Sequence, residues 1–253
     1  GLMKLGISDI SFIPPEDFVY DPDVDLYITW GHKRTSMINQ CKQNNTPYLV
    51  MERAYVGDRF AWLSLGLNGL NGRADFKNQD KGNDSSRWDK YFKDELKPWK
   101  TINNKTALIT GQVTGDAAHS HINIQDWYKF VIRKLNELGY SIIFRPHPLE
   151  KYNWSDTSLK YTLDKNENLE DSLNQVELCV TFSSNSGVIS VLNGTPCMSF
   201  DIGSMAYEVT SHNFENNFII RPDRTEWCNK LAFTQWLPEE IESGEALKQL
   251  CLN

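Results

Sequence analysis

The chain has 253 residues, of which 40% are hydrophobic and 23% are charged, and its mean hydropathy is -0.49. This composition excludes a disordered, collagen-like or coiled-coil protein and is typical of a folded protein with one or two cores. Its 26 basic and 33 acidic residues give a formal net charge of -7, which argues against a protein that coats nucleic acid. No apolar run approaches the about 20 residues that a membrane-spanning helix requires.

The start of the chain and its cysteines both favour a reducing, cytoplasmic location. Gly1-Leu2-Met3-Lys4 does not resemble a secretory signal. The cysteines are odd in number and form no Cys-x-x-Cys pair, so we expect buried free thiols rather than disulfides. They are Cys41, Cys179, Cys197, Cys228 and Cys251.

The first part of the chain has short strand patterns around one weak helix pattern. The sequence predicts strands over Lys4–Ile7, Leu26–Trp30 and Tyr48–Glu52, and a helix over Lys33–Gln43. Residues 78–104 are polar and contain a Gly-Asn-Asp-Ser-Ser run, so we expect an exposed excursion followed by a linker.

The second part alternates strands and helices more clearly. Apolar residues follow helical spacing from Ile124 to Leu138, with Asn123 as the N-cap and Gly139 as the stop signal. A further helix is predicted over Ser186–Leu192. The predicted strands are Thr106–Thr110, Ser141–Phe144, Leu178–Phe182 and Pro196–Phe200.

This alternation predicts an α/β fold with two Rossmann-like lobes whose parallel sheets face a cleft. The first lobe covers residues 3–100 and carries a basic and aromatic segment over residues 77–105. The second lobe covers residues 105–225. Residues 226–253 are predicted to form a helical segment that packs back over the body.

Polar residues after the strands of the second lobe are candidates for a ligand site, because ligands of open parallel sheets gather at the carboxyl ends of the strands. Ser183-Ser184-Asn185-Ser186 opens a predicted helix, where unpaired amides and the helix dipole favour an anion such as a diphosphate. Arg145-Pro146-His147-Pro148 follows a neighbouring strand and would add positive charge, with its direction fixed by the prolines. The alternative is that the serines and the asparagine only cap the helix.

Other motifs give weaker signals. The sequence has no Walker loop, no Gly-x-Gly-x-x-Gly after a strand and no Gly-x-Ser-x-Gly elbow, so it disfavours a kinase, a dehydrogenase and an α/β-hydrolase. Asp21, Asp23 and Asp25 precede a strand, which indicates a solvated turn. His119 and His121 have no nearby cysteine pair, so we expect no metal site.

Four groups of residues carry a resemblance to a known family, in the expected order between residues 52 and 196. They are Glu52-Arg53-Ala54-Tyr55 with Leu65-Gly66-Leu67-Asn68-Gly69, Gly111-Gln112-Val113 with Asp116-Ala117-Ala118, Arg145-Pro146-His147-Pro148, and Ser183-Ser184…Gly187 with Asn193-Gly194-Thr195-Pro196. Together they resemble the capsular-polysaccharide glycosyltransferases, including the Kdo transferases, which have the two-lobed GT-B fold. The chain departs from the family pattern at Ala54, where the family has glycine, and at Ala118, where it has serine. Its compact length resembles bacteriophage versions that are thought to modify hydroxymethylated pyrimidines in DNA.

The resemblance implies transfer of a sugar from a nucleotide-sugar donor, UDP-linked rather than CMP-linked, to a hydroxyl group, with no metal or other cofactor. The hydroxyl needs a proton acceptor, for which we predict Glu52, with Asp116 and Asp75 in reserve. The alternative for Glu52 is an ion pair with Arg53 or Arg59 that only organises the loop. The predicted donor-binding residues are Gln112, Arg145, His147, Ser183, Ser184, Asn185, Ser186, Tyr207 and Glu208.

The predicted acceptor is a hydroxymethylated pyrimidine in DNA, and two alternatives stay open beside it. The DNA would be held by cations that bind phosphate and by aromatic rings that stack on a base. The first alternative is a growing capsule or lipopolysaccharide chain, and the second is an inactive module that only binds nucleotide sugars. A phage protein would act in the host cytoplasm, and the oligomeric state is not predicted. The predicted acceptor-binding residues are Arg53, Arg59, Asn68, Arg87, Trp88, Lys90 and Lys93.

Overall fold

The computed structural model describes residues 1–151, 158–215 and 217–251, with the side chain of Cys251 excepted. The strands are β1 Tyr27–Trp30, β2 Tyr48–Arg53, β3 Leu63–Leu67, β4 Thr106–Thr110, β5 Ser141–Arg145, β6 Thr162–Leu163, β7 Leu178–Thr181, β8 Cys197–Ser199 and β9 Gln235–Trp236. The α-helices are α1 Thr35–Asn44, α2 Ser86–Tyr91, α3 Ile124–Glu137, α4 Leu169–Leu173, α5 Ser186–Leu192, α6 Thr225–Ala232, α7 Pro238–Ser243 and α8 Glu245–Cys251.

The chain forms two compact units. The first unit consists of Gly1–Phe92 and Thr225–Asn253, and the second consists of Lys93–Arg224. The basic segment over residues 77–105, which the sequence places in one lobe, is therefore divided between the two units. The predicted C-terminal segment 226–253 contains most of α6 and all of α7 and α8, and it groups with the first unit; residues 252–253 lie outside the described residues.

The second unit contains a parallel sheet in the order β6-β5-β4-β7-β8. Its best-defined helix is α3, whose start is fixed by Asn123: the side-chain oxygen accepts hydrogen bonds from the amides of Gln125 and Asp126. Gly139 follows the helix with a φ of 81°, a left-handed value that ends helices readily at glycine. The sequence predictions for this helix, its cap and its stop are confirmed.

The core of the second unit forms where the apolar face of α3 meets the sheet. Tyr128, Val131 and Leu135 are fully buried and share one helix face, because they lie three and four residues apart. They pack in one cluster with Ile109 and Phe144 of the central strands. Burial of each large apolar side chain contributes about 1.5–3 kcal/mol, so this face holds the helix on the sheet.

The first unit contains a mixed sheet in the order β1-β2-β3-β9. Strands β1 and β2 are parallel, as the sequence predicts, but β3 runs antiparallel to β2, and β9 runs antiparallel to β3. The expected parallel sheet therefore extends over only one strand pair in this unit. The cause is that the short connection between β2 and β3 contains no crossover helix, and a parallel connection requires one.

Two apolar clusters hold the sheet of the first unit. One contains residues of α1, β1 and β2, and the other joins β2 and β3 to the C-terminal helices. The buried members of the first cluster are Tyr27, Met37, Ile38, Cys41, Tyr48 and Val50. The buried members of the second are Leu49, Leu65, Leu67, Phe233, Trp236, Ala246, Leu247 and Leu250.

One prediction for the first part of the chain is wrong, and another is wrong in part. The predicted strand over Lys4–Ile7 is instead a short 3-10 helix, Leu2–Leu5, which ends at Gly6 with a φ of 82°. The predicted excursion over residues 78–104 is mostly exposed and ends in a stretch without helix or strand, but Arg87, Trp88 and Phe92 within it are buried. Composition indicated a loop there, but the aromatic residues supply enough apolar surface to pack.

The cysteines follow the sequence prediction. Cys41, Cys179, Cys197 and Cys228 are buried free thiols. The side chain of Cys251 lies outside the described residues. None of the helices in the described part of the chain is long and apolar enough to span a membrane.

Candidate functional site

The loops after β4 and β7 are joined by a reciprocal pair of side-chain hydrogen bonds. The amide of Ser183 donates to Oε1 of Gln112 over 2.9 Å, and Nε2 of Gln112 donates to Oγ of Ser183 over 3.2 Å. Both residues are buried. The amide of Gln112 also donates to the hydroxyl of Tyr128 over 2.6 Å, which ties this loop to α3. The structure thus brings two predicted donor-binding residues together at the carboxyl edge of the sheet.

The remaining polar residues before α5 differ in what their side chains do. The hydroxyls of Ser186 and Thr110 lie 2.6 Å apart and are buried. The amide of Ser184 donates to Oγ1 of Thr181, and Oγ of Ser184 accepts from the amide of Ser186. Ser184 and Asn185 stay half-buried, so within this segment they are the side chains best placed to meet a ligand.

The Arg145-Pro146-His147 segment at the end of β5 packs closely against the start of the loop after β4. The amide of Gly111 donates to the carbonyl of Arg145 over 2.8 Å, and a Cβ added at Gly111 would lie 3.2 Å from the amide nitrogen of His147. A glycine is needed here because the two loops approach so closely. Nδ1 of His147 accepts from the amide of Leu149 over 3.1 Å, so the neutral ring carries its proton on Nε2.

Arg145 has a different role from the one that the sequence predicts. Its guanidinium donates to Oδ2 of Asp164 over 2.6 Å and to the carbonyls of Asn166 and Glu167. Partial burial alone would raise the pKa of Asp164, but hydrogen bonds from Ser172 and Arg145 lower it. The charge of Arg145 is therefore compensated by Asp164, and the side chain braces the loop after β6 instead of adding free positive charge to a phosphate site.

The loop after β8 carries Tyr207 and Glu208 on a short 3-10 helix. The ring of Tyr207 stacks on His212, with centroids 3.6 Å apart and planes 5° from parallel. Nδ1 of His212 donates to the carbonyl of Ser199 over 3.1 Å, which fixes the stack on the end of β8. Tyr207 is half-buried and Glu208 is exposed, so both are accessible from solvent.

Sequence analysis missed one polar pair at this edge. Nε2 of His121 lies 3.0 Å from Oδ2 of Asp201, and the ring of His121 lies 5.7 Å from that of Phe182. Oδ1 of Asp201 accepts from the amide of Gly203. Asp201 is visible in the sequence as a residue after a strand, but nothing in the sequence pairs it with a histidine 80 positions earlier.

Glu52 lies in the first unit, as the last residue but one of β2. Its neighbours in a shallow pocket are Val50, Tyr55, Ser64, Gly66, Gly69, Leu70, Asn71, Ala74 and Phe76. The hydroxyl of Tyr55 donates to Oδ1 of Asn71 over 3.1 Å. Burial, and secondarily the charge of Glu52, raise the pKa of Tyr55, so this hydroxyl stays protonated beside the carboxylate.

The two reserve carboxylates are engaged in their own turns. Oδ1 of Asp116 accepts from the amide of Ala118 over 2.9 Å and caps a 3-10 helix. Asp75 forms an ion pair of 2.8 Å with Lys77. Partial burial alone would raise the pKa of Asp75, but hydrogen bonds and charge from Lys77 lower it, which makes a weaker base.

The predicted acceptor-binding residues Arg53, Arg59 and Asn68 lie in or next to β2 and β3 and differ in their surroundings. The guanidinium of Arg53 lies between two aromatic rings, 5.3 Å from the centroid of Trp30 and 4.9 Å from that of Phe60. Arg59 is exposed. Asn68 is tied to Tyr48 by three hydrogen bonds, so its main role is to hold the end of β3 against the start of β2.

The middle of the predicted basic patch over residues 77–105 does not lie on the surface. Arg87 is buried, and its guanidinium pairs with Glu240 at 2.6 Å and donates to the carbonyls of Ala232 and Gln235. Trp88 is buried against Phe92. The prediction that Arg87 and Trp88 contact an acceptor is therefore wrong, because both side chains belong to the core of the first unit. Lys90 and Lys93 are exposed.

Within residues 1–151, 158–215 and 217–251, no group of three or more His, Cys, Asp or Glu side chains is arranged to hold a metal ion. No protein-family model matches the chain, and no curated protein matches it in sequence.

Solved structures do match. The chain is similar to a β-Kdo 2,4 transferase structure of KpsC from Thermosulfurimonas dismutans, with a TM-score of 0.57 and 16% identity over 85% of this chain and 82% of that chain. It is also similar to the β-Kdo 2,7 transferase of KpsC from the same organism, with a TM-score of 0.56 and 14% identity over 89% of this chain and 84% of that one. At this level of identity the similarity concerns the fold, and it confirms the predicted α/β, GT-B-like fold class.

Proposed function

We propose that the chain is a glycosyltransferase that moves a sugar from a nucleotide-activated donor to a hydroxyl group. The observation that carries this proposal is the pairing of Gln112 with Ser183 at the carboxyl edge of the second unit's sheet, in a chain whose fold is similar to that of a Kdo transferase over 85% of its length. Ligands of open parallel sheets bind at this edge. A fold alone does not define an activity, so the site residues and the family resemblance carry the assignment of chemistry.

In this proposal the second unit binds the donor. The leaving nucleotide develops negative charge, which needs fixed hydrogen-bond donors. Ser184 and Asn185 keep exposed surface, and His147 carries its neutral-ring proton on Nε2, so these side chains would donate to the phosphate. Tyr207 and Glu208 would meet the base or the ribose. Gln112, Ser183 and Ser186 hold the loops in place and act on the donor mainly through this positioning.

The acceptor hydroxyl must transfer its proton as its oxygen bonds to the sugar and the sugar–phosphate bond breaks. We propose that Glu52 accepts this proton, because its half-buried carboxylate lies in a pocket next to the protonated hydroxyl of Tyr55. Asp116 and Asp75 are weaker candidates, since one caps a turn and the other pairs with a lysine.

A glycan acceptor of capsule type is favoured over DNA. The DNA alternative depends on a basic and aromatic surface, and burial of Arg87 and Trp88 removes its centre. The exposed Lys90 and Lys93 each lie next to an aspartate, Asp89 and Asp94 respectively, which weakens any local positive field. DNA that contains hydroxymethylated pyrimidines is therefore the second candidate acceptor.

The test of donor binding uses titration calorimetry with UDP, CMP, UDP-glucose and CMP-Kdo. At least one nucleotide should bind, and Gln112→Ala should weaken it about tenfold by releasing the loop before α5. Ser120→Ala, an exposed serine in the loop after β4, is the matched control and should leave the affinity unchanged. If no nucleotide or nucleotide sugar binds, or if Gln112→Ala binds like the parent, the donor site is wrongly assigned.

The test of transfer uses mass spectrometry to follow sugar addition to acidic oligosaccharides and to hydroxymethylated DNA. Glu52→Gln should keep donor affinity and lose most turnover, because the amide cannot accept the proton. Asp116→Asn and Asp75→Asn are matched controls that should keep turnover within about twofold. Donor binding without transfer or donor hydrolysis would favour the inactive binding module.

A further inference from the structure

A histidine and an aspartate that the proposed function does not use lie at the carboxyl edge of the second unit's sheet; we call them the His121–Asp201 pair. His121 lies in the loop between β4 and α3, and Asp201 lies two residues after β8. Nε2 of His121 is 3.0 Å from Oδ2 of Asp201. The side chain of Asp201 is 9% exposed, whereas that of His121 is 46% exposed. The pair therefore joins a buried carboxylate to an imidazole ring that is open to solvent.

Both members of the pair are held in place by their neighbours. The amide of Gly203 donates to Oδ1 of Asp201 over 2.7 Å, and the amide of Asp201 donates to the carbonyl of Phe182 over 3.1 Å. The ring of His121 packs on the ring of Phe182, with centroids 5.7 Å apart. An exposed side chain that is already fixed in this way loses little conformational entropy when a ligand binds to it.

The pair borders the crevice where the order of the second unit's sheet reverses. From β4 the chain crosses through α3 to β5 on one side, and from the adjacent β7 it crosses through α5 to β8 on the other. Ligands of open α/β sheets bind in the crevice at such a reversal. Phe182 directly precedes Ser183, which is bonded to Gln112 after β4. A ligand in this crevice would therefore meet the imidazole ring of His121.

The carboxylate determines which ring nitrogen of His121 can accept a hydrogen bond. Because a carboxylate only accepts, the proton of the neutral ring lies on Nε2, which faces Asp201. Nδ1 then carries a lone pair, and it has no hydrogen-bond partner within residues 1–151, 158–215 and 217–251. An ionised phosphate has no proton to donate to this nitrogen, whereas a hydroxyl group has one. The pair is therefore suited to a hydroxyl group of a ligand.

We propose that His121, oriented by Asp201, binds a hydroxyl group of the nucleotide-sugar donor and so selects among donors; this inference rests on the proposed function. A nucleotide sugar carries hydroxyl groups on its ribose and on the transferred sugar, and either would donate to Nδ1 in the same way. A site built to bond a hydroxyl discriminates against an analogue without it, because a polar group of the site then loses its partner. His121 is in this role a specificity-determining residue, and Asp201 is a positioning residue.

The experiment measures ligand binding to the full chain by titration calorimetry. The ribose probes are UDP and CMP beside their 2′-deoxy and 3′-deoxy forms, and the sugar probes are UDP-glucose and CMP-Kdo beside their monodeoxy-sugar forms. Removal of the recognised hydroxyl should weaken binding to the parent about tenfold. In His121→Phe, which keeps a ring on Phe182, the hydroxyl and deoxy forms should bind within about twofold of each other. His32→Phe, in the first unit, is the matched control and should keep the parent's preference.

The positioning role of Asp201 is tested by imidazole nitrogen NMR at mildly alkaline pH. In Asp201→Asn the amide of Gly203 would keep the side-chain oxygen, so the side-chain amide group would face His121 and move its proton to Nδ1. The nitrogen shifts should report a proton on Nε2 in the parent and on Nδ1 in the variant, and the preference for the hydroxyl form should fall below about threefold. A proton that stays on Nε2 in the variant would contradict this role. Thermal unfolding checks folding, and if His121→Phe does not fold, Asp201→Asn carries the test.

The outcomes separate this inference from the proposed function. If no nucleotide or nucleotide sugar binds to the parent, the proposed function fails and this inference fails with it. If nucleotides bind but the parent has no preference for a hydroxyl form, or His121→Phe keeps that preference, only this inference is wrong. If His121→Phe weakens binding of inorganic pyrophosphate as strongly as that of the nucleotide, the ring binds phosphate and the hydroxyl assignment is overturned. Loss of the preference in the ribose series or in the sugar series supports the proposal and identifies the hydroxyl that is bound.

Discussion

The two units of this chain are built on different principles. The second unit is a parallel sheet in which strands and helices alternate along one continuous stretch of chain, Lys93–Arg224. The first unit is assembled from two separate stretches, and its sheet is completed by β9, which pairs with β3 from more than 160 positions away. Local sequence patterns describe the second unit well, whereas the first depends on contacts between distant segments.

This difference extends to the polar interactions. In the second unit the site residues lie in loops directly after strands, and their partners are in the next strand or helix along the sheet. In the first unit the buried side chain of Arg87 joins α2 to the carbonyls of Ala232 and Gln235 and to Glu240 of α7. It is one of several side chains that connect the two separate stretches, so the first unit should be sensitive to point changes far from its sheet.

The largest expected effect is the loss of Arg87. Arg87→Met leaves the largely buried carboxylate of Glu240 without its cationic partner and removes two hydrogen bonds to carbonyls, so the free energy of unfolding of the first unit should fall by about 3–5 kcal/mol. Native-state hydrogen exchange, which reports the two units separately, measures this. Lys90→Met, an exposed change on the same helix, is the control. A loss below about 1 kcal/mol would show that the apolar contacts and the other hydrogen bonds between the two stretches hold them together without Arg87.

The corresponding test of the second unit replaces a glycine by alanine. Gly194 has a φ of 79°, and a Cβ added there would lie 2.0 Å from the carbonyl oxygen of Pro98. Gly194→Ala should therefore combine left-handed strain with a backbone clash and cost about 3 kcal/mol. Gly115 has a φ of 83° with nothing near its added Cβ, so Gly115→Ala should cost only about 1 kcal/mol. If urea unfolding shows that both variants lose the same free energy of unfolding, the clash with Pro98 is not the cause of the loss.

The comparison explains how much of the fold could be predicted. The strands β4, β5, β7 and β8 and the helices α3 and α5 follow from hydrophobic periodicity and cap residues, because each is a local pattern. Strand β3 was not predicted, since Leu63–Leu67 contains a glycine and its pairing is set by β2 and β9. Burial of Trp88 and Phe92 could not be predicted from a polar segment, because Phe92 packs against Trp62, which lies outside that segment.

The candidate site divides in the same way. Ser183 and Gln112 were predicted, because polar residues after neighbouring parallel strands must meet at one edge of the sheet. Arg145 was expected at the phosphate site, but the short β6 brings Asp164 within 2.6 Å of it, and a two-residue strand leaves no sequence pattern. The His121–Asp201 pair was missed because the two residues lie 80 positions apart and no local pattern joins them.

Acid sensitivity of the second unit tests the role of Arg145 and Asp164. The folded-state pKa of Asp164 is lowered from the ordinary value of 3.8, so its stabilising effect is fully present above that value and is lost as pH falls through the lowered one. Asp164→Asn should cost about 2 kcal/mol near neutral pH, where the charged hydrogen bonds are lost. The difference between parent and variant should shrink as the pH falls below the ordinary value, as measured by urea unfolding at several pH values. A difference that stays constant with pH would exclude the ion pair as its source.

The smallest expected effect tests how much a single N-cap residue, Asn123, stabilises a helix of the second unit. Asn123 accepts hydrogen bonds from the amides of Gln125 and Asp126 over 3.0 and 3.4 Å, so Asn123→Ala leaves these two amides at the start of α3 without their acceptor. The free energy of unfolding should fall by about 1 kcal/mol, and Asn123→Ser, which keeps a capping oxygen, should lose only a few tenths. Hydrogen exchange of the first-turn amides of α3 should speed up in the alanine variant and stay near the parent rate in the serine variant. Equal exchange rates in both variants would mean that packing of Tyr128 and Leu135, and not the cap, determines where this helix begins.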